Sequence, residues 1–97
     1  MGIKEENIMN GMQLFQNQPN PTNGATVINY NLNQITNITL LVYDITGKKV
    51  FESNQGKQAE GKHNINLEQG QLKSGIYFYT LLSNEGNSLT KKMIVTE

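Results

Sequence analysis

Apolar and polar residues alternate along most of the chain, which is the pattern of β-strands that bury one face. In residues 27–32 every second residue is apolar, and the asparagines between them fall on the opposite face. Two longer runs, 38–45 and 76–82, are apolar at both parities, which predicts strands in the middle of a sheet. No segment has a helical period. Shorter strands are predicted at residues 12–15, 49–53, 62–67 and 88–95.

Turn-forming residues separate these strands. Asp44 and Gly47 occupy the first and fourth positions of a predicted type I turn, in which the carboxylate accepts a backbone N–H. Residues 84–87 lie between two strand patterns and predict a hairpin. Residues 17–24 are a dense cluster of turn formers, and its prolines restrict the backbone to a stiff crossing. The central residues of this cluster are Pro19, Asn20 and Pro21.

The number and spacing of these elements predict the fold class. About seven short strands, with a turn roughly every 8–12 residues, predict an all-β fold, an immunoglobulin-like antiparallel β-sandwich. The chain has 97 residues, which is too few for two separately folded domains. We assign residues 12–97 to the sandwich. Residues 1–11 are mostly polar, and we assign them to a linker or leader.

The charge balance excludes several classes of partner. Eight Lys balance eight Asp plus Glu, and the sequence contains no Arg, whereas a nucleic-acid-binding domain normally carries a basic excess. The absence of Cys removes disulfides, thiolate nucleophiles and sulfur ligands for metals. No apolar run approaches the ~20 residues of a membrane-spanning helix. We therefore predict no nucleic-acid partner and no transmembrane segment.

Asn and Gln are unusually common in this chain, where charged side chains would ordinarily cover the protein surface. The sequence contains 14 Asn and 8 Gln. Prion-like tracts share this composition, but they lack a regular alternation of apolar residues. Here the amides alternate with Val, Ile, Leu and Tyr, which predicts a folded β domain with an amide-rich surface.

Catalytic chemistry has little support in the sequence. Residues 56–63 match the G-x4-G-K spacing of a phosphate-binding loop, but His63 replaces the magnesium-binding hydroxyl and a strand pattern follows. His63 shares its parity with Ile65 and Leu67, which predicts a half-buried structural histidine. Asp44, the only aspartate, is explained by its turn. We predict a protein that is not an enzyme and that has no cofactor and no metal site.

Aromatic and basic residues suggest two further candidate surfaces. The aromatics on the predicted central strands form either a ligand-stacking stripe or cross-strand packing, of which packing is favoured. The lysine pairs at 48–49 and 91–92 are either docking patches or solvated strand edges, of which edges are favoured. The aromatics in question are Tyr43, Tyr77 and Tyr79, with Phe78 on the opposite parity.

Five segments occur in a defined order: LFQNQPNP at 14–21, YNL at 30–32, LLVYDITGKKV at 40–50, LKSGIY at 72–77 and KKMIV at 91–95. In this order and spacing the chain resembles the C-terminal sorting domain of the type IX (Por) secretion system, over about residues 12–96. Two departures are mild. Residues 22–24 (TNG) stand where many relatives have Phe-Asn-Pro, and Lys49 stands where Arg is frequent.

The resemblance implies an immunoglobulin-like sandwich that acts as a sorting signal for a larger, N-terminal passenger protein. Its implied partners are the type IX translocon, an outer-membrane shuttle protein and a cell-surface sortase. The passenger would cross the outer membrane and be anchored at the cell surface or released, commonly after removal of the domain. The alternative function is a non-catalytic binding or spacer sandwich of the carbohydrate-binding type, which belongs to a secreted protein.

The last predicted strand is the candidate recognition element. Its alternation places Leu89, Met93 and Val95 towards the core together with Lys91, and Lys92 and Ile94 towards solvent. A bulge at Lys91–Lys92 is the competing assignment, and it would exchange the faces beyond it. The candidate recognition residues are Lys91, Lys92, Ile94 and Val95. The motif residues with a predicted structural role are Pro19, Asn20, Pro21, Tyr43, Asp44, Gly47, Gly75 and Tyr77.

Overall fold

The computed structural model describes residues 8–9 and 11–96, and this part of the chain forms two four-stranded antiparallel sheets. The first sheet has the order β1-β2-β3-β6 and the second has the order β5-β4-β7-β8. Most of the segment 1–11, predicted as a linker, lies outside the described residues. The strands are β1 (Ile8–Met9), β2 (Met12–Leu14), β3 (Thr26–Leu32), β4 (Thr36–Asp44), β5 (Lys49–Gln58), β6 (Gly61–Leu67), β7 (Gly75–Ser83) and β8 (Ser88–Val95).

The core lies between the two sheets and follows from the period-two alternation. In β3 every second residue is buried, and the intervening asparagines are only partly exposed. The predicted immunoglobulin-like antiparallel sandwich is confirmed, since the chain passes between the sheets after β3, β5 and β6. Residues with no exposed side-chain surface come from both sheets: Leu14, Ile28, Ile38, Leu40, Val42, Tyr79, Leu81 and Met93.

The two strands with apolar residues at both parities are central, as predicted, because β4 and β7 pair with each other in the middle of their sheet. Only one of their two apolar faces is buried. Leu41, Tyr43 and Phe78 lie on the outer face of the sheet and remain partly exposed. The second apolar face is therefore an open surface, and it forms part of the candidate site below.

Strand β5 is longer than its apolar pattern predicted. It extends to Gln58, five residues beyond the predicted end, through a stretch of amides and glycine. The register of β4 against β5 shifts next to Gly56, whose φ is 74°. A glycine accommodates such a bulge without strain. Because backbone pairing holds this edge strand, its sequence needs no apolar alternation.

Two hairpins have the same geometry. The Gly47 N–H donates to Asp44 O at 2.9 Å, and the Gly86 N–H donates to Ser83 O at 3.0 Å. Both glycines have a φ of 91°, the left-handed conformation that a three-residue hairpin loop requires. The second turn thus begins at Ser83, one residue before the predicted start. No helix long and apolar enough to cross a membrane occurs among the described residues.

Candidate recognition surface

Strand β8 has the alternation that the sequence predicted. Its pairing with β7 is continuous from Gly75↔Val95 to Leu82↔Ser88, which excludes the alternative bulge. Met93 and Val95 are buried at 0% and 3% exposure. Lys92 is exposed and Ile94 is partly exposed on the outer face of the sheet. Lys91 lies at the inner parity opposite Tyr79, and it is partly exposed.

The free edge of β8 is covered by the loop that follows β2. The Asn20 side-chain oxygen accepts the Ile94 N–H at 2.9 Å, and the Thr22 N–H donates to Ile94 O at 2.9 Å. The Thr96 N–H donates to Thr22 O at 2.6 Å, and the Gln16 amide donates to the carbonyl of residue 92 at 2.6 Å. The last residues of β8 are therefore bonded on one side to β7 and on the other to this loop.

Tyr79 anchors the loop from within the core. Its hydroxyl donates to Phe15 O and accepts the Asn17 N–H, both at 2.8 Å. The buried Asn17 amide in turn donates to Pro19 O at 3.0 Å and to the Thr26 hydroxyl at 3.1 Å. Burial is the main reason that the pKa of Tyr79 rises to about 12. Sequence reasoning did not find this link, because no local pattern joins β7 to the end of β2.

The motif prolines lie at the exposed turn of the same loop. The peptide bonds before Pro19 and Pro21 are both cis. Between them, Asn20 directs its side-chain oxygen to β8. The three residues belong to the loop that covers the β8 edge, and Asn20 makes the contact.

The segment that leads into β7 forms a tyrosine corner. Buried Tyr77 donates its hydroxyl to Lys73 O, four residues upstream, at 2.7 Å, as in many immunoglobulin-like sandwiches. Gly75 lies between them with a φ of 156°, a conformation that a β-branched residue resists. Gly75 also pairs with Val95, so the corner fixes the start of β7 against the end of β8.

Asp44 has the turn role that the sequence predicted. Its carboxylate accepts the Thr46 hydroxyl at 2.6 Å and the backbone N–H groups of Thr46 at 2.9 Å and Lys48 at 3.0 Å. The Thr46 hydroxyl is the largest cause of a lowered Asp44 pKa, and the Lys48 N–H follows. Its carboxylate oxygen is thus engaged in organising the hairpin.

The ligand-stacking stripe, the less favoured alternative for the three tyrosines, is not formed. Tyr77 and Tyr79 point into the core, whereas Tyr43 lies on the outer face opposite Phe78. The reason is register: β4 and β7 pair so that odd positions of β4 share a face with even positions of β7. The two core tyrosines are opposite apolar residues on the neighbouring strands, Tyr77 opposite Met93 and Tyr79 opposite Val42.

The outer face of the second sheet instead brings together apolar residues and a lysine. Tyr43 is opposite Phe78, Phe78 is opposite Lys92, and Ile76 is opposite Ile94. We call these five residues the outer patch. Ile76 is 38% exposed, so the outer face of the central strand β7 contributes apolar surface that solvent reaches.

Other chemistry considered from the sequence is not assembled. Residues 56–63 comprise the end of β5, a two-residue connection and the start of β6, without the helix that a phosphate loop requires. His63 is half-buried as predicted, stacks on Tyr30 at 5.3 Å between ring centroids, and has its Nε2 atom 2.7 Å from Ala59 O. Among the described residues no group of three or more His, Cys, Asp or Glu side chains could hold a metal ion.

Comparison with known proteins identifies the family. Residues 18–96 match the model of the secretion system C-terminal sorting domain. The chain belongs to this family. The sorting domain is also similar to an endo-acting ulvan lyase of Formosa agariphila, with 31% identity over 77 residues that make up 79% of this chain. The chain spans 14% of the length of that relative.

Family membership confirms the resemblance drawn from the five motifs. The sorting domain is a type IX secretion signal, and such domains mark proteins that are secreted or attached to the cell surface. The domain is not itself catalytic. The start of the domain at residue 12 and the recognition role of Lys91, Lys92, Ile94 and Val95 stay predictions.

Proposed function

We propose that the sorting domain directs an N-terminal passenger across the outer membrane by engaging the type IX translocon and an outer-membrane shuttle protein. A cell-surface sortase then removes the domain, and the passenger is anchored or released. The observation that carries the proposal is the family match over residues 18–96. The similarity to a lyase over a small part of that enzyme's length supports a passenger that is a separate enzyme domain.

The outer patch is the proposed contact surface. Both sides of the β8 backbone near Ile94 are already bonded, to β7 and to the loop with Asn20 and Thr22. A partner therefore cannot add a strand along this part of the edge without displacing the loop. The outward side chains Lys92 and Ile94 remain available. An apolar residue beside a cation suits a partner surface that pairs an apolar pocket with a carboxylate.

Lys91 and Val95 have supporting positions in this proposal. Val95 belongs to the core and pairs with Gly75. Lys91 is partly exposed at an inner position of β8, where a lysine stem can cover apolar surface while its ammonium reaches water. We propose that these two residues hold β8 in place and that the contact itself is made by the outer patch.

Export of a reporter tests the proposal. Residues 12–97 are fused to a periplasmic reporter and expressed in a strain with a working type IX translocon and in one without. We expect the reporter outside the cell only in the first strain. Equal external reporter in both strains would refute the sorting function for this chain.

A double variant tests the outer patch. Lys92→Gln with Ile94→Thr should leave the melting temperature nearly unchanged, because both side chains are solvent-facing, but it should reduce export. The matched control is Lys57→Gln with Ile35→Thr, which changes an exposed lysine and an isoleucine that is 58% exposed, away from β8. Normal export of the Lys92/Ile94 variant would place the contact elsewhere on the sandwich.

A further inference from the structure

The outer face of the first sheet is a grid of amide side chains. Strand pairing sets Gln13, Asn31 and Lys62 in one row, and Asn29 and Asn64 in the next. Phe15 completes the second row, because its N–H donates to Asn29 O at 3.0 Å. The third row consists of Gln18, Val27 and Asn66. We call these nine residues the amide grid.

The composition of the amide grid is unusual for a strand surface. Asn is depleted in β-strands because its side chain competes for local backbone hydrogen bonds, yet four of the six positions that β3 and β6 contribute to the outer face are Asn. Positions that break a local propensity rule are expected at functional sites. Lys62 is the one charged residue of the grid.

The grid's amides are largely available to a ligand. The Asn31 amide donates to the Gln13 side-chain oxygen at 3.1 Å. The side chains of Asn29, Asn64 and Asn66 have no hydrogen-bond partner among the described residues. Each Asn side chain carries two donors and an acceptor with two lone pairs in one plane. Neighbours on the grid are about 4.8 Å apart across strands and about 6.7 Å apart along them.

A shallow cleft gives the grid an apolar element. The cleft has a volume of about 260 Å³, and its lining includes Phe15, Asn29, Asn31 and Lys62. A second cleft of about 260 Å³ borders the other side of Asn31, beside Gln13. The partly exposed ring of Phe15 therefore lies among amides at the edge of a depression.

This arrangement matches the chemistry of sugars. A pyranose ring has an apolar face of C–H bonds and a rim of hydroxyl groups that both donate and accept. We propose that the amide grid binds an extended glycan chain, with one sugar ring against Phe15, hydroxyl groups on Asn29, Asn31 and Asn64, and an acidic sugar substituent, where present, near Lys62. A nucleic acid would need more than one cation, and protein interfaces favour aromatics, Arg and Met over isolated amides.

The proposed glycan site is independent of the proposed sorting contact, which lies on the opposite sheet. The test is affinity gel electrophoresis of the domain in native gels that contain laminarin, a neutral glucan, or alginate, a polyuronate. We expect slower migration in at least one gel. A third gel with bacterial lipopolysaccharide separates a cell-surface glycan from a free polysaccharide, and retardation only there would assign the ligand to the cell surface. No retardation in any of the three gels would overturn the proposal.

Variants locate the site. Asn29→Thr with Asn64→Thr removes two facing amides and keeps a good strand former, so the fold is retained, and we expect the retardation to be abolished. The control Asn37→Thr changes an exposed strand asparagine on the opposite sheet and should migrate as wild type. Lys62→Gln should weaken retardation by alginate and leave that by laminarin unchanged. Equal retardation of wild type and the Asn29/Asn64 variant would refute the site.

Discussion

Removing the Tyr79 hydroxyl tests the link between the core and the loop that covers β8. In Tyr79→Phe the ring still fills its fully buried position, but the hydroxyl that joins Phe15 O and the Asn17 N–H is lost. Each buried backbone group left without a partner costs roughly 1–3 kcal/mol. Because Phe15 is only partly buried, we expect a total loss of about 2–4 kcal/mol in the free energy of unfolding. For a domain of this size that corresponds to a fall in Tm of roughly 8–30 °C.

The measurement is chemical and thermal denaturation of the purified domain beside a matched control. Tyr43→Phe removes a hydroxyl on the outer face that has no hydrogen-bond partner among the described residues, and it should change stability by no more than about 0.5 kcal/mol. If Tyr79→Phe and Tyr43→Phe lose equal stability, the hydroxyl does not hold the loop and the reasoning fails.

Alkaline pH gives a second readout of the same group. The Tyr79 pKa in the folded state, about 12, lies above the ordinary value near 10. The folded state therefore holds this proton more tightly, and the resulting stability is complete below pH ~10 and is lost as pH rises through ~12. Tyr79→Phe has no ionisable group at this position, so its free energy of unfolding does not contain this pH-dependent contribution. We expect the stability difference between wild type and Tyr79→Phe to shrink over this range.

Three other substitutions give expected outcomes. Met93→Ala empties a fully buried position and should cost ~2–4 kcal/mol in a denaturant titration; a cost below ~1 kcal/mol would mean that β8 is not part of the core. Asn20→Ala removes the acceptor of the Ile94 N–H, so hydrogen exchange at the Ile94 amide should accelerate. The Met93 amide faces β7 and should stay protected. Equal acceleration at both amides would contradict the inference that Asn20 protects only the edge of β8. Asp44→Asn should lower Tm most near pH 6, where the wild-type carboxylate is charged. The Tm difference should vanish as pH falls from ~4 through the lowered Asp44 pKa, because a carboxyl group with a lowered pKa stabilises the fold only while it is ionised. A pH-independent Tm difference would show that the carboxylate charge is irrelevant to the turn.

Local rules account for what the sequence predicted correctly. Side-chain alternation assigns the faces of β3 and β8, and two-sided apolar runs identify β4 and β7 as central strands. The Asp44 turn follows from the preferences of Asp and Gly at its first and fourth positions. Each of these inferences uses residues only a few positions apart, where backbone geometry couples them directly.

Strand register and long-range polar contacts are the features that the sequence did not predict. Parity within β4 or β7 does not say which parity of one strand shares a face with which parity of the other. The sequence alone therefore does not show that Tyr43 faces away from Tyr77 and Tyr79. The Tyr79 bond to Phe15 spans 64 positions, and the Asn20 bond to Ile94 spans 74. The end of β5 was missed because an edge strand can be held by backbone pairing alone.

These long-range contacts explain why five weak motifs form one specific signature. The loop of the first motif covers the edge of β8, and the corner of the fourth motif sets Gly75 against Val95. The third motif supplies Tyr43, which meets Phe78 and so extends the outer patch beside Lys92. None of these contacts exists in an isolated strand. The backbone of such a strand would be bonded to water, and its side chains would no longer lie on one face beside those of β4 and β7. The surface proposed for recognition is thus a property of the folded sandwich, and a free peptide with the sequence of β8 presents neither the patch nor the covered edge.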